Sequence, residues 1–307
     1  GFIARGALPD GSHYAAGSDD QTGPWFYGLW KYLDSGIPTA AQRAGIQRKM
    51  EQVACALLER EWKLPCSGRK EHNGDFLQWG FRSCVRILWL TKLMHRLSGE
   101  TKWKAEHEKR REEALEGKRR LDICRAGMEY SFFRNWEMAY QLWIFLDAID
   151  ELEMLERWEE EEDIQKAYRQ GRERSARAVC GLISRFGEYG GAQPLAFTPV
   201  WQEGQFWRPG MNLKESKGAA LAQMEAWEER YLPQRKREIR FMREPLCACL
   251  IASRSPDEAF LRELEPLAAQ CVSSYDVSKL YTSLFFVGEC VCNLWLTRKK
   301  EQKEKEI

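Results

Sequence analysis

The feature that most constrains this chain is an alternation in the character of its successive helical segments. Apolar residues recur with a helical period almost throughout, and no convincing strand pattern interrupts them. Segments such as WFYGLWKYL (25–33), NWEMAYQLWIFLDAI (135–149) and KLYTSLFFVGECVCNLWL (279–296) are apolar nearly all round. Others, such as KAEHEKRREEALEGKRR (104–120) and RWEEEEDIQKAYRQGRER (157–174), are strongly charged. A helix apolar on every side is buried, and one with a charged face is outside. The alternation therefore predicts an all-α fold of helical hairpins in inner and outer rings, an (α/α)n toroid with about five hairpins visible.

The periodicity predicts about ten helices: near Asp19–Asp34, Thr39–Glu61, Asp75–Leu97, Thr101–Glu116, Phe132–Met154, Trp158–Arg185, Glu215–Trp227 and Gln234–Ala252, one starting at Ser255-Pro256-Asp257-Glu258, and Asp276–Lys300. The charge runs read as solvated faces laced with i,i+4 pairs, with His95 and His107 solvated among them. Residues 1–307 read as one toroid domain, with a frayed charged tail near 298–307. One segment, 186–216, has no helical period. Its aromatic content, including Trp201 and Trp207, argues against disorder, so an ordered loop that walls or covers the barrel is expected.

Composition excludes several classes. The 307 residues are 44% hydrophobic and 30% charged, enough chain for one large domain or two small ones. A net charge of +1 provides no electrostatic footprint for nucleic acid or an anionic membrane. The most apolar stretch, LFFVGECVCNLWL (284–296), is too short to span a bilayer and contains Glu289. The ten cysteines form no C-x-x-C pair, and the two C-x-C pairs, Cys247/Cys249 and Cys290/Cys292, point to different helix faces. They read as free core thiols, which favours a reducing, cytoplasmic compartment. Four scattered histidines, and no G-x-S-x-G, P-loop, GxGxxG or HExxH motif, lead to no expected metal or cofactor.

The candidate chemistry lies at helix starts. The chain opens GFIARGALPDGSHYAAGSDDQ, which places Arg5, His13, Tyr14, Asp19, Asp20 and Gln21 on a Gly-rich run that leads into an aromatic helix carrying Trp25. Ser18-Asp19-Asp20-Gln21 has the form of a capping box, and acids in a first turn complement the helix dipole. The same form recurs at Ser255–Glu258. Capping does not account for Arg5, His13 and Tyr14, which suit the rim of a pocket at one end of an inner ring. Asp19 and Asp20 diverge by about 100° on a helix, so one can act while the other caps or orients. A second cluster, EHNGDFLQWGFRS (71–83), offers His72 and Asp75, with Asp75, Gln78 and Arg82 on one helical face. It is either a structural polar stripe or part of the same mouth. A third comprises Trp136 and Tyr140 beside Glu137. Aromatic faces stack on sugar rings, and carboxylates bind their hydroxyls or do acid–base work.

The run GFIARGALPDG, SHY and GSDDQ, followed by Tyr27-Gly28-Leu29-Trp30-Lys31-Tyr32, resembles a segment of bacterial six-hairpin (α/α)6-toroid proteins related to glycoside hydrolases. That superfamily includes unsaturated glucuronyl and rhamnogalacturonyl hydrolases. The resemblance covers about the first 35 residues. It implies a catalytic acid at Asp20, or else Asp19. Five hairpins where the family has six imply a further hairpin upstream or an incomplete ring, a barrel truncated at its N-terminus.

The leading expectation is a glycoside hydrolase acting on oligosaccharide or polysaccharide fragments. Asp20 is the acid/base, Asp19, His72 and Asp75 assist, Arg5 binds a uronate carboxylate, and Trp25, Trp201 and Trp207 stack on sugar rings. A polysaccharide lyase using His13 and Tyr14 is an alternative. A non-catalytic carbohydrate- or protein-binding toroid and a purely structural scaffold are others.

Overall fold

The computed structural model describes residues 2–4, 10–11, 17–65, 72–132, 142–188, 208, 210–219, 221–222, 239–275 and 282–305. The protein is all-α. The chain forms two compact units, Gly1–Leu121 with Val200–Arg230, and Asp122–Pro199 with Tyr231–Ile307.

The first unit contains α1 (Asp19–Asp34), α2 (Ala40–Glu59), α3 (Phe81–Ser98) and α4 (Thr101–Glu112), with a short helix, α9, at 213–219. Two small antiparallel strand pairs interrupt the helices, contrary to the expectation of none. These are β1 (Lys63–Pro65) with β2 (His72–Asp75), and β3 (Ala114–Leu115) with β4 (Lys118–Arg119). The core helix is α3, which buries Phe81, the run Cys84–Thr91, Leu93 and Met94. It stops at Gly99, whose φ of 70° places it in the left-handed region, where its N–H donates to the His95 carbonyl. α2 opens with a true capping box between Thr39 and Gln42.

The charged helix α4 is less solvated than its composition predicts. It turns Trp103, Glu106, His107 and Arg110 inward at i, i+3, i+4 and i+7. Glu106 accepts from Trp62 Nε1 at 2.7 Å and from Arg110 Nε at 2.6 Å. His107 Nδ1 lies 3.0 Å from the Leu88 carbonyl and 3.1 Å from Thr91 Oγ1, so the ring is held against α3. Each buried charge thus has a buried partner, which makes the inward turn affordable in free energy.

Arg120 is fully buried and organises the loop after β2. Its guanidinium donates to the Gln78 carbonyl (3.0 Å), the Leu77 carbonyl (2.8 Å) and Glu113 Oε2 (3.4 Å), and lies 4.1 Å over the Trp79 ring. The long third helix expected from Asp75 accordingly begins six residues later, at Phe81. Residues 72–75 pair with 63–65 instead, and 76–80 are pinned as a turn.

The second unit begins within α5 (Arg120–Ala126), after Leu121, and contains α6 (Glu129–Phe132), α7 (Leu146–Trp158), α8 (Glu162–Ile183), α10 (Glu244–Ala252), α11 (Glu258–Ser273) and α12 (Thr282–Lys305). The fifth predicted helix, Phe132–Met154, has at its described C-terminal end a 3₁₀ turn (Leu142–Phe145) leading into α7. α8 is amphipathic, with Ile164, Ala167, Tyr168, Gly171, Ser175, Val179 and Leu182 buried. Its small residues receive the end of α5. Ser175 Oγ donates to the Gly171 carbonyl at 2.7 Å and accepts from Met128 N at 2.9 Å. A Cβ added at Gly171 would collide with the Cys124 carbonyl. An ion network joins Asp150, Glu153 and Glu156 to Arg169, Arg172 and Arg254. α11 is capped by Asp257, which accepts from Ala259 N and Phe260 N, and not by Ser255 as expected; Ser255 Oγ, two residues earlier, accepts from Asp257 N.

Two outcomes follow from these contacts. Arg120→Leu should lower stability by about 3 kcal/mol in urea unfolding, because two carbonyls and a carboxylate lose a buried donor. Gly171→Ala should lower it by about 2 kcal/mol, because a backbone carbonyl must move to admit the methyl group.

Candidate functional site

The start of α1 and strand β2, both in the first unit, form the candidate site. Ser18 has extended backbone (φ −146°, ψ 152°), and its carbonyl accepts from Thr22 N at 2.9 Å and Gln21 N at 3.3 Å. These bonds start the helix. The side chains do not cap it. Ser18 is buried and its Oγ has no hydrogen-bond partner, and Gln21 is exposed. The expected S-D-D-Q capping box is therefore not made. Close packing explains why: a Cβ on Gly17 would lie 2.9 Å from the Ile3 carbonyl, which holds the approach to α1 tightly inside the unit. The Thr22 hydroxyl, one turn on, is also buried without a partner.

The first-turn acids Asp19 and Asp20 are both half-buried. No capping bond or ion pair engages the Asp20 carboxylate among the described residues. Beneath this turn lies Arg86 of α3, a buried guanidinium whose Nη1 donates to the Asp19 carbonyl at 3.3 Å. Gly23 makes room for it, since any Cβ there would meet the guanidinium.

β2 comes against the same turn. Gly74 has φ +136°, and a Cβ on it would lie 3.1 Å from Asp19 N and 3.2 Å from Asp19 Oδ1. Gly74 of β2 thus lies against Asp19 at the start of α1, and β2 is a strand where a helix start was expected. Asp75 Oδ1 accepts from Leu77 N at 2.7 Å, an Asx turn that gives this carboxylate a local structural duty. Asp75, Gln78 and Arg82 do not form a helical stripe, because only Arg82 lies on α3. His72 is in β2, and its side chain lies outside the described residues. Trp25, half-buried on the second turn of α1, meets Phe26 edge-on (centroids 5.0 Å apart, 84° between planes). Arg5, His13, Tyr14, Trp136, Tyr140, Trp201 and Trp207 lie outside the described residues, as does most of the 186–216 loop.

Sequence reasoning passed over Glu244, at the start of α10 in the second unit. It is fully buried, and burial pushes its carboxyl above the ordinary value. It accepts from Leu142 N at 2.8 Å and from Arg243 at 3.0 Å, so both oxygens are engaged. A π-helical turn, Ile239–Arg243, leads into it, and Tyr275 Oη donates to the Phe241 carbonyl there. The signal in the sequence was the Arg243-Glu244-Pro245 helix start. The arrangement ties 142 to α10 and leaves the carboxylate no open face for a substrate.

The thiols divide. Cys84, Cys124, Cys247, Cys249 and Cys271 are buried, and burial pushes the Cys84 thiol up to about 11. Cys290 and Cys292 are exposed, contrary to the core reading. Among the described residues no cluster of His, Cys, Asp or Glu is placed to hold a metal ion, and no helix is long and apolar enough to cross a membrane.

No family model matches the chain, and neither a curated protein nor a solved structure shows significant similarity to it.

The unpartnered hydroxyls allow a test of sign. Ser18→Ala and Thr22→Val should leave thermal stability unchanged or raise it, since each removes a buried hydroxyl that has no partner. Thr39→Ala, which removes a working cap, should cost about 1 kcal/mol.

Proposed function

We propose that this protein is a carbohydrate-active enzyme of the glycoside-hydrolase type, with its helical hairpins arranged as a toroid. The observation that carries the reading is the state of the first turn of α1. Asp19 stands against Gly74 of β2, and among the described residues no capping bond or ion pair engages the Asp20 carboxylate. A carboxylate with no structural task, set where two segments meet and next to an aromatic helix, is suited to proton transfer.

In this reading Asp20 protonates the departing glycosidic oxygen. Asp19 is turned about 100° away and orients the substrate or the acid. Asp75, held by its turn, and His72 beside it complete the mouth. Arg5 pairs with a uronate carboxylate, to which its planar fork is matched. Trp25, Trp201 and Trp207 offer ring faces to the sugar.

The test is turnover of an oligosaccharide panel that includes unsaturated uronates, by wild type and Asp20→Asn. The expected result is a loss of roughly 10²–10⁴-fold in kcat with stability kept within about 1 kcal/mol. Binding without turnover, indifferent to Asp20→Asn, would make the protein a carbohydrate receptor and overturn the hydrolase reading. No binding and no turnover of any panel member would end the carbohydrate reading altogether.

A further inference from the structure

Four cysteines come together in the second unit, where α10 packs on α8 and on α11, and α11 also meets α8. Cys247 and Cys249 lie on α10, Cys271 on α11 and Cys180 on α8. The Cys249 and Cys271 thiols meet side chain to side chain, and Cys180 and Cys247 are near enough to act on Cys249 electrostatically. Cys271 Sγ also lies 4.0 Å from Tyr275 Oη, one turn on, and that hydroxyl is itself fixed by donating to the Phe241 carbonyl at 2.7 Å. A buried alanine lies one turn from each of the paired thiols on its own helix, Ala252 for Cys249 and Ala268 for Cys271.

A single buried cysteine is most often an inert, small hydrophobe. Cys84 fits that description, its thiol set between Arg120 Nη1 (3.5 Å) and the Gln78 carbonyl (4.0 Å). The pair on α10 and α11 differs, because two sulfurs on separate helices already touch, which is the arrangement a disulfide needs. The cluster also has an inside and an outside. The contact with Cys271 and burial both hold the proton on Cys249, and burial does the same for Cys247. Cys180 is half-buried; burial pushes its thiol up, and Arg177, one turn before it, pulls it back. Cys180 is therefore the thiol that a reagent in solution meets first.

We propose that Cys249 and Cys271 are an oxidisable pair, closed to a disulfide by exchange with a small dialkyl disulfide, such as oxidised glutathione, that enters at Cys180. The Cys180 thiolate attacks one sulfur of the small disulfide and expels the other as a thiolate. Cys249, giving up its proton, then displaces the remaining small thiol from Cys180 and forms a Cys180–Cys249 bond. Cys271 attacks the Cys249 sulfur in the same way and returns Cys180 to the thiol. Two protein thiols lose two protons and two electrons, and the small disulfide takes them up as two free thiols. The product ties α10 to α11. This inference stands apart from the carbohydrate reading and does not depend on it.

The test incubates the full chain with oxidised glutathione, quenches it with N-ethylmaleimide in denaturant, and maps the peptides by mass spectrometry. The expected product is a Cys249–Cys271 linked peptide about 2 Da lighter than its two reduced parts, and dithiothreitol should restore both thiols. Cys180→Ser should slow its formation about tenfold and leave the linkage unchanged. Cys271→Ser should stop the exchange one step short, with Cys180 joined to Cys249 or to glutathione. Because the linkage is read in the wild-type chain, the result does not depend on how well a variant folds. Full alkylation of both Cys249 and Cys271 in wild type, with glutathione carried only by the exposed Cys290 or Cys292, would overturn the pair. An unchanged rate in Cys180→Ser would overturn the entry through α8.

Discussion

A buried guanidinium has five N–H donors and cannot shed its charge, so the chain around it must arrange acceptors in fixed directions. Arg120 imposes that requirement on the first unit. It draws in two consecutive carbonyls, Leu77 and Gln78, together with Glu113 and the face of Trp79. The turn after β2 is set by these bonds, and so is the place where α3 can begin. Because β2 is the strand that ends at this turn, its approach to α1 depends on a residue with no contact to the site. Arg86 adds a second such condition from below: the first turn of α1 sits over its guanidinium, and only a glycine at 23 allows the approach.

These long-range demands explain what was legible in the sequence and what was not. α1 runs over Asp19–Asp34, as its local pattern predicts, because Ser18 and the aromatic period settle both its type and its start. α4 begins at Thr101 as predicted, and α8 lies within the predicted sixth helix. The local pattern starts the third helix at Asp75 because nothing local reveals a strand partner about ten residues upstream. The inward set on α4 was hidden for a related reason. A charge run looks solvated when each residue is judged alone, but Glu106 and Arg110 neutralise each other and Trp62 supplies the remaining donor. Conversely, Cys290 and Cys292 belong to an apolar-looking segment and yet are exposed.

The three S/T-containing helix starts show how little a capping motif says about side chains. Thr39 and Gln42 make the reciprocal box on an exposed surface, where nothing else competes for them. At Ser255 the cap slides two residues on, because Asp257 reaches both Ala259 N and Phe260 N and also pairs with Arg177. At Ser18 the side chain goes inward and caps nothing. The motif marks where a helix starts in all three cases. Which atom satisfies the first N–H groups is decided by what surrounds them.

That difference bears on function more than the motif itself does. Had Ser18 and Gln21 closed a box over the first turn of α1, the neighbouring acids would have a sufficient structural explanation as dipole-complementing residues on a capped helix. Without the box, the first turn keeps N–H groups unsatisfied by its own cap, two half-buried carboxylates, and two buried hydroxyls with no partner. Natural structures leave few buried polar groups unmatched, and they concentrate the exceptions where something else is bound. Glu244 is the contrasting case. It is more deeply buried than either first-turn acid, and burial pushes its carboxyl up, but both its oxygens are committed to Leu142 and Arg243. Perturbation alone would single out Glu244, but a carboxylate must first be free to meet a substrate, and the Glu244 oxygens are already taken.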